Sequence, residues 1–169
     1  MKSNIKLLCC DFDGVFTNGE IQFNAQGEII KSYNVKDGYG IKYLKNLGIK
    51  TGIISSYVPN ESCKKICEHL GFDYIHIGPE NKLNILNEWI KTLNISLNEV
   101  AYIGDDISDL EILKIVGISG CPQDAVDECK NTVNYICKKK GGSGCVREFI
   151  DHIFNSKKDI YYNLKKELM

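Results

Sequence analysis

The feature that most constrains this chain is a recurring unit: a short apolar run, an acidic or hydroxyl-bearing turn, then residues at helical spacing. Apart from Lys6, residues 5–10 are apolar, and they end in Asp11-Phe12-Asp13-Gly14. Such a run reads as a strand buried on both faces. Residues 49–54 form a second strand, ending at Ser55-Ser56. Tyr74 to Ile77 is a third, and Val100 to Ile103 is a fourth, ending in Gly104-Asp105-Asp106. Between them Ile41, Leu44 and Leu47 repeat at helical spacing before Gly48, and Ile66 and Leu70 do so before Gly71, in a helix that Pro59 opens. Leu83, Leu86, Ile90 and Leu93 mark another helix, and Leu110, Leu113 and Val116 a further one stopped by Gly117. Val133 to Cys137 gives a last strand. Gly141 to Gly144 precedes a final helix carrying Val146, Phe149, Ile150 and Ile153. One antiparallel excursion interrupts the pattern: residues 20–23 and 28–33 flank Asn24-Ala25-Gln26-Gly27, a β-hairpin. Strand alternating with helix means an α/β fold, a Rossmann-like parallel sheet with helices on both faces.

Composition narrows the function. At 169 residues the chain is one domain with at most a small appendage. Lys plus Arg (21) nearly balance Asp plus Glu (22), which argues against a nucleic-acid or membrane-surface binder. No apolar run approaches membrane-spanning length and no signal peptide precedes the first strand, so a reducing cytoplasm is expected. The eight cysteines are then free, mostly buried thiols. Cys63, Cys67 and His69 hint at zinc, but no second ligand pair accompanies them.

In parallel sheets, active groups collect at the carboxyl ends of strands. Here those ends carry Asp11 and Asp13, Ser55 and Ser56, and Asp105, Asp106 and Asp109. So many carboxylates in one crevice call for a hard divalent cation, and Mg²⁺ takes a few carboxylates plus water and phosphate oxygens. Lys82, at the start of a helix, adds the charge a phosphoryl group needs. Separately each piece has a plainer reading: a surface turn, a helix-start cluster, capping hydroxyls, a solvated lysine. Jointly, at successive strand ends, they point to phosphoryl transfer through a carboxylate nucleophile.

The motifs resemble those of the haloacid dehalogenase superfamily of phosphatases. Asp11-Phe12-Asp13-Gly14-Val15-Phe16-Thr17 is similar to its first motif, Ser55 to its second, Lys82 to its third and Gly104-Asp105-Asp106-Ile107-Ser108-Asp109 to its fourth. Residues 35–41 and 141–148 resemble two further signatures of the subfamily that dephosphorylates 3-deoxy-D-manno-octulosonate 8-phosphate and acylneuraminate 9-phosphates. The resemblance implies Asp11 as nucleophile and Asp13 as general acid and then base. It implies Mg²⁺ held by Asp11, the Asp13 carbonyl and Asp105, with Asp109 and Asp106 behind them. Ser55 and Lys82 would grip the phosphoryl oxygens, and Ser56 and Arg147 would meet the substrate. It also implies the absence of a large cap domain and a homotetramer in which the hairpin packs on neighbours.

Several readings stay open from the residues themselves. Gly141 to Gly144 is an anion-binding loop or a flexible helix start. Arg147 meets a sugar carboxylate or forms a surface ion pair. The hairpin, about residues 19–34, packs on a neighbour or is a self-contained flap. Tyr57 and Ser143 stand where octulosonate phosphatases commonly carry basic residues, so two cations near the acid end of that substrate are missing. The phosphatase domain is expected over residues 1–154, and residues 155–169 form a helical extension or tail. The rival classes are a broader sugar-phosphate phosphatase, a non-catalytic partner of a cytidylyltransferase, and a receiver domain, which would lack the acid/base Asp13.

Overall fold

A computed structural model describes residues 4–56 and 61–154. Tyr57, the helix-opening Pro59 and the 155–169 extension lie outside the described residues. Six strands form one all-parallel sheet: β1 (Leu7–Cys10), β4 (Lys50–Ser55), β5 (Tyr74–Ile77), β6 (Val100–Ile103), β7 (Ile118–Cys121) and β8 (Tyr135–Ile136). Their order is β5-β4-β1-β6-β7-β8. The remaining pair, β2 (Gln22–Phe23) and β3 (Ile29–Ile30), is the antiparallel hairpin, shorter than its apolar pattern suggests. No cap domain is inserted among the described residues.

Period-two alternation sorts the strand residues into two cores. Leu8 and Cys10 of β1, Ile53 of β4, and Ala101 and Ile103 of β6 face one side. Three helices cover that side: α1 (Val35–Asn46) through Ile41 and Leu44, α2 (Glu61–Leu70) through Cys63 and Cys67, and α6 (Cys145–Phe154) through Phe149 and Ile150. Leu7, Cys9, Ile54, Val100 and Tyr102 face the other side, under α3 (Lys82–Leu93), α4 (Leu110–Leu113) and α5 (Asp127–Lys130). Burying both faces explains why the strands read as continuous apolar runs. All eight cysteines are buried and free. Among the described residues no helix is long and apolar enough to cross a membrane.

Besides the short hairpin strands and β8, which is shorter than the run from Val133 to Cys137, two elements differ from the sequence reading. Helix α4 stops at Leu113, short of the spacing that reached Val116, and the chain then turns directly into β7. Strand β7 is absent from the reading because Ile118-Ser119-Gly120-Cys121 has only one large apolar side chain. Gly120 is small for a reason: a Cβ there would sit 2.6 Å from the Phe149 ring.

The site is set by strand order. The chain leaves β1 for β4 on one side and returns to β6 on the other, so β1 and β6 flank the point where the order reverses. Cys10 is in register with both Ile53 and Ile103. The residues that follow these three strands therefore emerge side by side.

Candidate active site

Asp11 follows β1, and its N–H donates to the Ile103 carbonyl of β6 at 2.9 Å, which carries the sheet pairing one residue beyond the strand. Its carboxylate is 7% exposed and meets Lys82 Nζ at 2.9 Å. Lys82, itself 4% exposed, starts α3 and also reaches Asp109 Oδ1 at 2.7 Å. Asp109 is fully buried and each of its oxygens takes two donors. Oδ1 accepts from Lys82 and from the Tyr102 hydroxyl at 2.6 Å, and Oδ2 accepts from the Asp105 and Asp106 N–H groups at 3.1 and 3.3 Å. Gly104 makes this approach possible, since a Cβ there would lie 2.4 Å from the Asp109 carboxyl carbon.

Asp11, Asp105 and Asp109 each offer a carboxylate oxygen within 4.8 Å of the others. Asp105 Oδ1 is buried with no hydrogen-bond partner. An orphaned buried oxygen beside two more carboxylates fits a hard cation such as Mg²⁺. Asp109 is in the group by distance, but its four donors already use both of its oxygens. That leaves Asp11 and Asp105 as the carboxylates free to ligate and makes Asp109 the clamp that fixes Lys82 and the Asp105 turn. Gly14 completes the cradle at a backbone φ of +86°. Without a Cβ, Gly14 lets the backbone approach a phosphoryl group. The structure adds a second reason, because a Cβ there would lie 2.1 Å from Asp105 Oδ2.

The electrostatics match three carboxylates sharing one ammonium. Burial, then the charge of Asp109, raises Asp11 well above the ordinary carboxylate range against the pull of Lys82. Burial and Asp109 also push Asp105 up to about 6. Burial alone would lower Lys82, but Asp11 and Asp109 outweigh it and hold the ammonium above its usual value.

Asp13 is placed apart from this cluster. Its Oδ1 accepts from Thr17 Oγ1 at 2.9 Å and Lys31 Nζ at 2.7 Å. Ser55 is buried at the end of β4 and Ser56 is exposed just beyond it. Asp106 is exposed and caps the following turn, its Oδ1 accepting from the Ile107 N–H at 2.7 Å. Arg147 is bound elsewhere: its Nε donates to Asp151 at 2.9 Å and its guanidinium lies 5.6 Å from the centre of the Tyr39 ring. That is the ion-pair alternative of the sequence reading.

In the structure the glycine loop has an internal role that neither reading of the sequence gave it. The N-terminus of α6 already holds an anion, the carboxylate of Asp37, whose Oδ1 accepts from the Arg147 N–H at 2.7 Å. Gly141 and Gly142 press on the loop that follows β1, where Cβ atoms would lie 1.9 Å from the Gly14 carbonyl and 2.5 Å from the Asn18 nitrogen. Ser143 contacts its own loop, donating to the Gly141 carbonyl. Residues 35–41 and 141–148, separate in sequence, are one joint in space.

Sequence reasoning missed Lys31, Thr17, Tyr102 and Asp37. One signal for Lys31 was present: strand period places it on the same inward face as Ile29 and Tyr33.

Residues 54–150 match the family model described as haloacid dehalogenase-like hydrolase. The chain is 38% identical over 151 residues to the 3-deoxy-D-manno-octulosonate 8-phosphate phosphatase of Yersinia pestis, covering 89% of this chain and 80% of that one. The crystal structure of the Moraxella catarrhalis enzyme of the same name, in complex with magnesium ion, phosphate ion and KDO, superposes with a TM-score of 0.89. It is 31% identical and covers 98% of this chain and 94% of that one. The N-acylneuraminate cytidylyltransferase A of Danio rerio is 34% identical over 91% of this chain, which spans only 36% of that protein.

Proposed function

The chain belongs to the haloacid dehalogenase-like hydrolases and is a phosphomonoesterase of the sugar-phosphate type, and we propose that it is Mg²⁺-dependent and works through an aspartyl-phosphate on a phosphorylated 2-keto-3-deoxy sugar acid. The substrate is of the octulosonate 8-phosphate or acylneuraminate 9-phosphate type. The observation that carries this reading is the unpartnered Asp105 Oδ1 beside Asp11, in a crevice where three carboxylates face one ammonium.

In this reading Asp11 attacks phosphorus. The P–O bond to the sugar breaks, and Asp13 gives its proton to the leaving alkoxide. Asp13 then takes a proton from water, the water attacks the aspartyl-phosphate, and inorganic phosphate leaves as Asp11 is regenerated. Ser55 and Lys82 hold phosphoryl oxygens, and Ser56 lies on the substrate side. Asp11, Asp105 and the Asp13 carbonyl would hold Mg²⁺, which supplies positive charge against the phosphoryl oxygens. Asp109 keeps Lys82 aimed, and Asp106 shapes the turn that presents Asp105. A homotetramer remains part of the proposal, supported by the exposed apolar side chains of Ile21, Phe23 and Ile30 on the hairpin.

The test is phosphate release with Mg²⁺ from a small panel: octulosonate 8-phosphate, N-acetylneuraminate 9-phosphate, its deaminated analogue and plain hexose phosphates. Preference for one sugar acid, abolished in Asp11→Asn with the fold retained, is the expected result. Even turnover across the panel would replace it with a broad sugar-phosphate phosphatase. A second reading, a non-catalytic partner of a cytidylyltransferase, is favoured by one observation, the match to about a third of the Danio rerio protein. Absence of release from every compound, in a folded protein that binds Mg²⁺, would select it.

A further inference from the structure

We propose that Lys31 is a positioning residue for Asp13, so that the hairpin, through its two stalks, orients the acid/base group of the reaction. This rests on the phosphatase reading above. Lys31 immediately follows β3, and its side chain is 1% exposed, with Nζ 2.7 Å from Asp13 Oδ1. A lysine ammonium is seldom buried to this degree without a specific partner, because the desolvation penalty must be offset by a fixed opposite charge. Its placement is therefore held tightly by the pair.

The second donor to the same oxygen comes from the other stalk. The Gly19 N–H donates to Thr17 Oγ1 at 3.2 Å, which leaves the buried Thr17 hydroxyl hydrogen to point at Asp13 Oδ1, 2.9 Å away. Gly19 leads into the hairpin and Lys31 leads out of it, so both stalks converge on one carboxylate oxygen. With two donors on Oδ1, the proton that Asp13 transfers is carried by Oδ2, and the carboxyl plane is fixed. The stalks are themselves anchored. Ser62 Oγ at the start of α2 donates to the Ile29 carbonyl, and the Tyr33 ring lies 5.7 Å from that of Phe16 in the nucleophile loop. Lys31 is thus a rigid arm rather than a surface lysine. Its contact with Asp13 is made to the side-chain carboxylate and not to the carbonyl that would meet the cation, so its effect is expected on proton transfer more than on nucleophilic attack.

That separation is measurable with p-nitrophenyl phosphate, whose phenolate leaves without needing a proton, against the alkyl phosphate that the wild type turns over fastest. In Lys31→Met with Mg²⁺, the single-turnover rate of p-nitrophenolate release should stay at its wild-type value, while kcat on the alkyl phosphate falls about 10²-fold, the usual scale for a misplaced catalytic group, with KM little changed. Lys31→Arg should recover part of the loss. In an Asp13→Asn background Lys31→Met should add almost nothing, because both changes act on one function. If Lys31→Met fails to fold, Lys31→Gln, a polar side chain one bond shorter and without the charge, carries the same comparison. Wild-type kcat in the Met or Gln variant, a single-turnover rate of p-nitrophenolate release that slows in step with kcat, or a full additional loss in the Asp13→Asn background would each overturn the proposal. If the wild-type protein releases neither p-nitrophenolate nor phosphate from any of these compounds with Mg²⁺ bound, it is the phosphatase reading that falls, and this inference with it.

Discussion

Asp37 sits between two opposing physical effects, and pH decides which one wins. Its carboxylate caps the N-terminus of α6, a position that stabilises a negative charge by roughly 0.3–1 kcal/mol. It is also fully buried, and its Oδ2 has no partner. Burial dominates, over the Arg147 and Gly144 N–H groups and the nearby Lys139 and Arg147 charges, and lifts Asp37 from 3.8 to about 6. Between those values the native state keeps a proton that the unfolded chain releases. The contribution of Asp37 to stability is therefore full below pH 4 and is lost as pH rises through 6, with no further change above. A shift of this size corresponds to about 3 kcal/mol, of which about 2 kcal/mol lies between pH 4.5 and 8. Asp37→Asn keeps the acceptor for the Arg147 N–H and cannot ionise. Urea denaturation of both proteins across this range should show the wild type losing about 2 kcal/mol relative to the variant as pH rises. Taking the difference removes every group the two proteins share. A constant difference would refute the argument. A difference of opposite sign would mean that the helix terminus, not burial, sets the charge of Asp37.

Other expectations follow from the site and its supports. Mg²⁺ at about 100 times its Kd should raise stability by roughly 2.7 kcal/mol, a Tm rise of about 5–10 °C for a chain of this size, and Asp105→Asn should remove most of it in a thermal scan. Tyr102→Phe deletes one donor from the buried Asp109 carboxylate, so denaturation should show a loss of about 1.5–3 kcal/mol together with slower phosphate release as Lys82 loosens. Gly141→Ala drives a Cβ onto the Gly14 carbonyl, backbone against backbone, and should destabilise by about 2 kcal/mol or more while lowering Mg²⁺-dependent turnover, measured on the same preparation.

What could be read from the residues was whatever depends on strand ends. Asp11, Ser55 and Asp105 are legible because each follows a run that must be buried, and register then brings the three together. Lys82 is legible as the first residue of an amphipathic helix, though only the structure shows its two carboxylate partners. Roles created by contacts across long sequence separations were not legible. Asp37 and Arg147 are 110 residues apart, and no local pattern says that a carboxylate in the first turn of one helix caps another. The glycine loop was open to an anion-binding reading because glycines before a helix suit an external anion and an internal one equally well. Strand β7 failed for a different reason: it is held by its neighbours in the sheet, with too little apolar signal of its own.

The eight buried thiols give the folded chain a clock. None is accessible to an alkylating reagent while the protein is closed, so labelling requires an opening event and its rate reports that event. Cys63 and Cys67 lie on α2 at one side of the sheet. Cys9 and Cys10 are neighbours in the central strand whose side chains point into opposite cores. Pulse alkylation read by mass spectrometry would distinguish a helix lifting off from the whole sheet coming apart, without adding a single probe. The same arrangement makes the unfolded chain, with eight thiols released together, prone to mispaired disulfides, so reversible folding depends on keeping a reductant present.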